Sequence, residues 1–179
     1  MFNIMETTTA LTLTIPKEFH DKINDVRKLY DRAVFRWMPH INFLFPFVPE
    51  DRFPDIISRL TPKLKSFGSF ELELSQLGHF KQGKNVTMHI KPKDCTKLKE
   101  LFNLIRQTIP DVESKHDEFN AHLTIGQFKS SEVADKVTEM TSWLNSNNFK
   151  FTVDHICILQ RSKTDNNVPF SVYHKIMLI

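Results

Sequence analysis

Two of the eight histidines in this 179-residue chain occupy near-copies of one short pattern, His40-Ile41-Asn42-Phe43 and His122-Leu123-Thr124-Ile125. In each copy a small polar side chain follows the histidine by two positions, with apolar residues between and after. The other six do not share it: His20, His79, His89, His116, His155 and His174 are followed at that position by Lys, Lys, Lys, Glu, Cys and Ile. Along an extended strand, residues i and i+2 point to one side and i+1 and i+3 to the other. Each copy therefore presents an imidazole with an amide or hydroxyl on one face. Ile41 with Phe43, and Leu123 with Ile125, are expected to be buried behind them.

Three uses of such a pair are open. The rings can be strand histidines whose nitrogens are satisfied structurally. They can ligate a metal, although no HExxH and no local Asp or Glu cluster accompanies them. Or they can perform acid–base chemistry on a phosphodiester. With an unperturbed pKa near 6.5, one of two imidazoles can be neutral and the other protonated at neutral pH. One takes a proton from the attacking water while the other gives one to the departing oxygen. Asn42 and Thr124 are then placed to donate hydrogen bonds to the non-bridging oxygens, where charge accumulates.

The elements that must position these residues read as an alternation of strands and helices. Thr8 to Ile15 alternates like a half-buried strand that Pro16 ends. Lys17 to Val34 has helical spacing, and Pro39 to Phe47 is the strand of the first motif. Phe53 to Leu64 is helical. Phe70 to Ser75 and Val86 to Lys91 read as two antiparallel strands joined across Gly78 to Asn85, with Gly83 as the turn residue. Asp94 to Ile109 is a helix that Asp94 can cap. The polar stretch Pro110 to Glu118 leads into the second motif strand, Phe119 to Phe128, and a helix follows from Ser130 or Ser131 to Leu144. Two closing strands, Phe149 to Gln160 and Val168 to Ile179, flank a polar loop. Each half puts its histidine motif on a strand ahead of a helix, so the chain reads as a weak duplication sharing one sheet system.

Composition bounds the function classes. The length suits a single compact unit, residues 1–179, and 40% hydrophobic residues with sixteen Phe against two Tyr indicate a Phe-rich interior. The sequence has four glycines and contains neither a GxxxxGK[ST] nor a GxGxxG loop, which argues against a nucleotide-triphosphate engine. Cys95 and Cys157 have neither zinc-finger nor disulfide-framework spacing. Residues 1–15 lack the features of a signal peptide, and no stretch has the length of a membrane span. The expectation is an intracellular protein, cytoplasmic or nuclear. A net charge of +3 spread over the chain is too mild for duplex DNA and compatible with a short anionic ligand.

At these residues the chain resembles the two-histidine phosphoesterase superfamily, which includes 2′-5′ RNA ligase-like proteins, cyclic phosphodiesterases and the related domain of kinase-anchoring proteins. Residues Arg36 to Phe47 are similar to a eukaryotic subgroup whose first motif carries Asn. Phe119 to Phe128 resembles the usual second motif, with Asn120-Ala121 in place of a common proline. Val153 to Arg161 and Phe170 to Leu178 are similar to the last two strands. The resemblance implies a bilobal α+β fold: two antiparallel-rich sheets, helices outside, a pseudo-twofold duplication and a central cleft with both histidines at its floor. It also implies a phosphoric diester hydrolase needing neither metal nor cofactor; apart from the resemblance, a monomer is expected. Its substrates would be RNA 3′ ends or small nucleotides carrying a 2′,3′-cyclic phosphate, or 2′-5′ linkages. Most members have Thr or Ser where this chain has Asn42, whose amide differs from a hydroxyl in orientation and reach. That difference motivates an alternative, a nucleotide or RNA-end binding module with little catalysis.

Four further residues have two readings each. Phe80, beside His79 near a turn, can stack on a base or belong to the core. His89 faces either the cleft or an outer surface. Arg161 and Tyr173, on the last two strands, can reach a phosphate or base, or form a surface ion pair and a packed ring. Lys17, Lys22, Arg27, Lys28 and Arg32, with Asp21, Asp25 and Asp31 interspersed, read as a solvated helix face.

Overall fold

The computed structural model describes residues 5–114 and 118–179. Residues 115–117, part of the expected polar stretch Pro110 to Glu118, lie outside the described residues, as does His116.

The strands are β1 (Thr9–Thr14), β2 (His40–Leu44), β3 (Phe70–Gln82), β4 (Asn85–Pro92), β5 (Leu123–Lys129), β6 (Phe149–Val153), β7 (His155–Gln160) and β8 (Ser171–Met177). The helices are α1 (His20–Tyr30), α2 (Phe53–Phe67), α3 (Thr96–Thr108) and α4 (Val133–Asn145). The strands form two antiparallel four-stranded sheets, ordered β2-β1-β7-β8 and β5-β4-β3-β6. The α+β class with two sheets matches the fold that the resemblance implies. The expectation that the halves share one sheet system is corrected only in number: they share two sheets rather than one. Each sheet takes two strands from before α3 and two from after it.

Period-two burial explains why these segments are strands. On β1, Leu11 and Leu13 are buried on the side facing Ile156 and Ile158 of β7 and Ile56, Leu60 and Leu64 of α2. Residues of the other parity, Ala10 on β1 with Cys157 and Leu159 on β7, face a smaller apolar cluster around Trp37 and Phe170. Fully burying one such aliphatic or aromatic side chain is worth about 1.5–3 kcal/mol, so the registry of each strand is firmly set. Helix α2 carries its apolar residues at four-residue spacing and ends at Gly68, whose φ of 81° suits a residue without a side chain.

Several element boundaries depart from the sequence reading, among them the start of the second motif strand at Leu123 rather than Phe119, and three have a local reason. Helix α1 stops at Tyr30, four residues early, because the Asp31 side chain accepts the backbone N–H of Ala33 at 3.0 Å and turns the chain out of the helix. Strand β3 runs on through Gly78 to Gln82, leaving only Gly83-Lys84 as the turn, with Gly83 at φ 62°. Gly78 pairs with His89 across the sheet, and a Cβ there would lie 2.5 Å from His89 Nε2, so the strand accommodates that ring only by lacking a side chain. The segment Phe149 to Gln160 is two strands, because the chain leaves the second sheet at Asp154 and enters the first. No helix among the described residues is long and apolar enough to cross a membrane.

Candidate active site

The two motifs sit on the edge strands of different sheets. Strand β2 is at one end of the first sheet and β5 at one end of the second, and these edges face each other. Between them lies a cleft of about 220 Å³ lined by His40, Asn42, His122 and Thr124, together with Thr87, Gln127, Trp37, Arg27 and Asp31. Ile41, Phe43, Leu123 and Ile125 are buried at the backs of the same strands, the alternation that an extended backbone imposes. His122 itself immediately precedes β5.

The rings are held in matching ways. His40 Nδ1 lies 2.7 Å from the carbonyl of Met38, and His122 Nδ1 lies 2.7 Å from the carbonyl of Asn120. A carbonyl only accepts, so each Nδ1 carries a proton and each Nε2 is left for chemistry. What surrounds the two Nε2 atoms differs. Asn42 Nδ2 stands 3.2 Å from His40 Nε2 and donates to its lone pair, while Asn42 Oδ1 is buried without a hydrogen-bond partner among the described residues. The His40 ring also stacks on Trp37, centroids 4.5 Å apart, and Trp37 stacks in turn on Phe170 at 3.7 Å.

Burial acts on the first of these rings. Burial pushes the pKa of His40 from 6.5 down to about 4; the Met38 carbonyl opposes this, and the charges of Arg27 and His122 add to it. His40 is therefore neutral at pH 7, with Nε2 able to accept a proton. His122 instead meets an aromatic cluster. Phe80 touches it edge-on at 5.0 Å, and the buried ring of His89 lies at 5.4 Å and stacks on Phe80 at 4.2 Å. Burial, followed by the charge of His122, brings His89 down to about 4 as well.

Arg27 and Asp31 correct the sequence reading most sharply. The solvated face expected there is interrupted by these two, 2% and 6% exposed, in an i,i+4 ion pair at 2.9 Å. Arg27 Nη1 also donates to Asn24 Oδ1, and Gln127 Nε2 donates to Asp31 Oδ1. The signal in the sequence is their four-residue spacing in register with buried Ile23, on a helix end that must pack against β5.

Of the other sequence candidates, Phe80 reaches the His122 ring from β3 rather than from a loop. Tyr173 does not join the cleft: it is 47% exposed and its ring packs on Phe53 of α2, on the opposite side of the first sheet. Arg161 also stands apart, with its guanidinium 5.4 Å over Phe170 at the far end of the stack that leads through Trp37 to His40. Thr87, Trp37 and Gln127 line the cleft without having been singled out, since only the pairing of β4 with β5 and the return of the 31–39 segment bring them there. Among the described residues no group of three or more His, Cys, Asp or Glu is placed to hold a metal ion.

Comparison with known proteins adds the lineage. Residues 15–165 match the 2′-5′ RNA ligase superfamily. A Staphylococcus aureus (strain JH1) protein named "Putative phosphoesterase SaurJH1_1032" is 30% identical over 124 residues, 69% of this chain and 72% of its own. The crystal structure of TT0787 of Thermus thermophilus superposes with a TM-score of 0.64 at 14% identity, covering 95% of this chain and 97% of that one. Escherichia coli LigT complexed with 3′-AMP gives 0.64 at 14% identity, covering 96% and 98%. With two histidine motifs facing each other across one cleft and a family match spanning most of its length, the chain belongs to the 2′-5′ RNA ligase superfamily of two-histidine phosphoesterases.

Proposed function

We propose that this chain hydrolyses phosphodiesters at RNA 3′ ends or in small nucleotides, namely 2′,3′-cyclic phosphates or 2′-5′ linkages, with no metal in the reaction, and that it does so as a monomer. One observation carries the reading: both imidazoles are fixed through Nδ1 to a backbone carbonyl and line one cleft, with Nε2 left for chemistry. Escherichia coli LigT, a protein of like fold, has been crystallised in complexes with 3′-AMP and with ATP, small nucleotides like those proposed here.

In this scheme His40, neutral at pH 7, is the general base. Its Nε2 takes a proton from water as the water oxygen bonds to phosphorus. His122, as the imidazolium, gives its Nε2 proton to the 2′ or 3′ oxygen as that P–O bond breaks. Thr124 donates its hydroxyl to a non-bridging oxygen. Asn42 either releases His40 as water binds or turns its amide toward the phosphate. Loss of either imidazole costs turnover by about 10²–10⁴-fold. The test is product mass after incubation with cyclic and 2′-5′-linked nucleotides in chelator, with His40→Ala and His122→Ala alongside. Full turnover by both variants would end the proposal.

A second reading has its own support. The Asn42 amide occupies the lone pair that a general base needs. A module that binds nucleotide ends with little catalysis is consistent with that contact, and saturable binding without product at high protein concentration would select it.

A further inference from the structure

On the face of the first sheet that carries His40, two buried oxygens lack a hydrogen-bond partner among the described residues: Oδ1 of Asn42 and Oγ1 of Thr12. They belong to neighbours. In the β1–β2 register Thr12 stands directly opposite Asn42, and Thr14 opposite His40, so the four side chains share that face. Opposed residues of an antiparallel pair have their Cβ atoms about 4.5–5.5 Å apart, a span that one side-chain rotation or one bridging water closes. On the other flank of Thr12 lies Cys157 of β7, whose Sγ is 3.4 Å from the Thr14 hydroxyl. Around Cys157 the surroundings are apolar, with Ala10, Leu159, Trp37 and Phe170 in one cluster. Thr12 is 0% exposed, so bulk water does not reach its hydroxyl. A buried hydroxyl or amide oxygen left unpaired is costly, and each of these two is the polar group at hand for the other.

The direction of every bond in this row follows from the first. The Met38 carbonyl only accepts, so Nδ1 of neutral His40 carries the proton and Nε2 is a lone pair. A lone pair needs a donor, and the Asn42 amide accordingly turns its NH2 to Nε2, 3.2 Å away. Its oxygen must then find a donor elsewhere, and the hydroxyl opposite is that of Thr12. The reversed amide would set Oδ1 against the Nε2 lone pair, an arrangement favourable only when that nitrogen is protonated. Whatever holds Oδ1 therefore favours the neutral imidazole.

We infer that Thr12 is a positioning residue of the site: its hydroxyl donates to Asn42 Oδ1, directly or across one water, and so keeps the amide presented to Nε2 of His40. Thr12 acts through Asn42 and not on the reacting atoms. Its role in turnover rests on His40 being the base proposed above, but the relay itself is read in the resting protein, without substrate.

The test is a titration of the His40 imidazole nitrogens by NMR in wild type, Thr12→Val, Thr12→Ser, Asn42→Ala and the double variant Thr12→Val, Asn42→Ala. The charged and titratable groups about His40 are Arg27 and Asp31 of α1, His122 from the other sheet and, beside Thr12, Cys157 of β7; all stay unaltered. Wild type is expected to titrate near pH 4. Thr12→Val keeps the shape and removes the donor, and should raise the midpoint by about half a pH unit, about threefold in the acid constant. Thr12→Ser keeps the donor and should stay within about 0.2 of a unit of wild type. In the Asn42→Ala background, Thr12→Val should add nothing. A wild-type midpoint for Thr12→Val, an equal shift for Thr12→Ser, or an undiminished shift without Asn42 overturns the relay. Should Thr12→Val not fold, a high-resolution crystal structure of wild type decides: Thr12 Oγ1 within about 3 Å of Asn42 Oδ1, or one water that close to both, supports the relay, and neither overturns it. Turnover separates the two ideas. The expected shifts with no product from cyclic or 2′-5′-linked nucleotides keep the relay and remove the hydrolase; product from wild type, with Thr12→Val titrating as wild type, does the reverse.

Discussion

The amide of Asn42 donates to Nε2 of His40 across 3.2 Å, placing a side chain expected to hold phosphate on the nitrogen expected to take the proton. The second motif has no equivalent, since Thr124 cannot offer an amide. This bond favours the neutral form of His40, and a neutral hydrogen bond is worth about 0.5–1.5 kcal/mol. Asn42→Ala should therefore raise the acidic limb of kcat/KM by up to about one pH unit, at about 1.36 kcal/mol per unit. A limb at the wild-type position, measured from about pH 3.5 to 8, would show that the amide does not control this base.

In the wild type that limb is expected near pH 4, because the base is active only when deprotonated and burial holds His40 at about 4. Falling pH should leave kcat/KM flat through about pH 6 and halve it near 4. A midpoint at the ordinary histidine value would place the base elsewhere.

Stability should follow the same protons. The folded chain holds His40 and His89 at about 4, below their ordinary 6.5, so it binds fewer protons than the unfolded chain between these values. The contribution is complete above pH 6.5 and is lost as pH falls toward 4. Urea midpoints should drop across that window, and His89→Phe should flatten part of the slope. A midpoint independent of pH there would contradict the burial of both rings.

Removing one partner of the Arg27–Asp31 pair leaves the other charge buried. Arg27→Met is expected to destabilise the fold by about 3–5 kcal/mol, and the double variant Arg27→Met, Asp31→Asn by less than the sum of the singles. Urea denaturation of all four proteins measures the coupling, and simple additivity would mean that the two side chains act independently.

Gly78→Ala places a Cβ 2.5 Å from His89 Nε2, closer than that contact tolerates, and 3.0 Å from the Lys91 stem, which must give slightly. The displaced ring must push on Phe80 and His122. A loss of about 1–3 kcal/mol is expected, with changed imidazole shifts for His122 in NMR. Unchanged spectra would show that His122 is oriented without His89.

Much of the architecture was legible because period-two and period-3.6 patterns report burial directly. The paired motifs, their buried backs and all four helices follow from spacing alone. What sequence could not show was partnership between distant elements. Asp154 looks like any residue in an alternating strand, and only the separate demands of β3 and β1 split Phe149 to Gln160 between sheets. Arg27 and Asp31 sit among charges that are solvated, and their burial depends on β5 arriving from about a hundred residues away. Tyr173 was placed with the site by its strand, whereas the irregular pairing of β7 with β8 accompanies a ring turned onto Phe53.

Because His40 and His122 ride on the borders of two separate sheets, no ladder of hydrogen bonds sets the distance between them. That spacing is governed by apolar packing where the lobes meet, including Phe43 on Phe119 at 5.4 Å and Phe119 on Phe102 at 4.9 Å. The molecule behaves as a calliper whose jaws are adjusted at the hinge: trimming one of these rings changes the span offered to phosphorus while both imidazoles stay untouched.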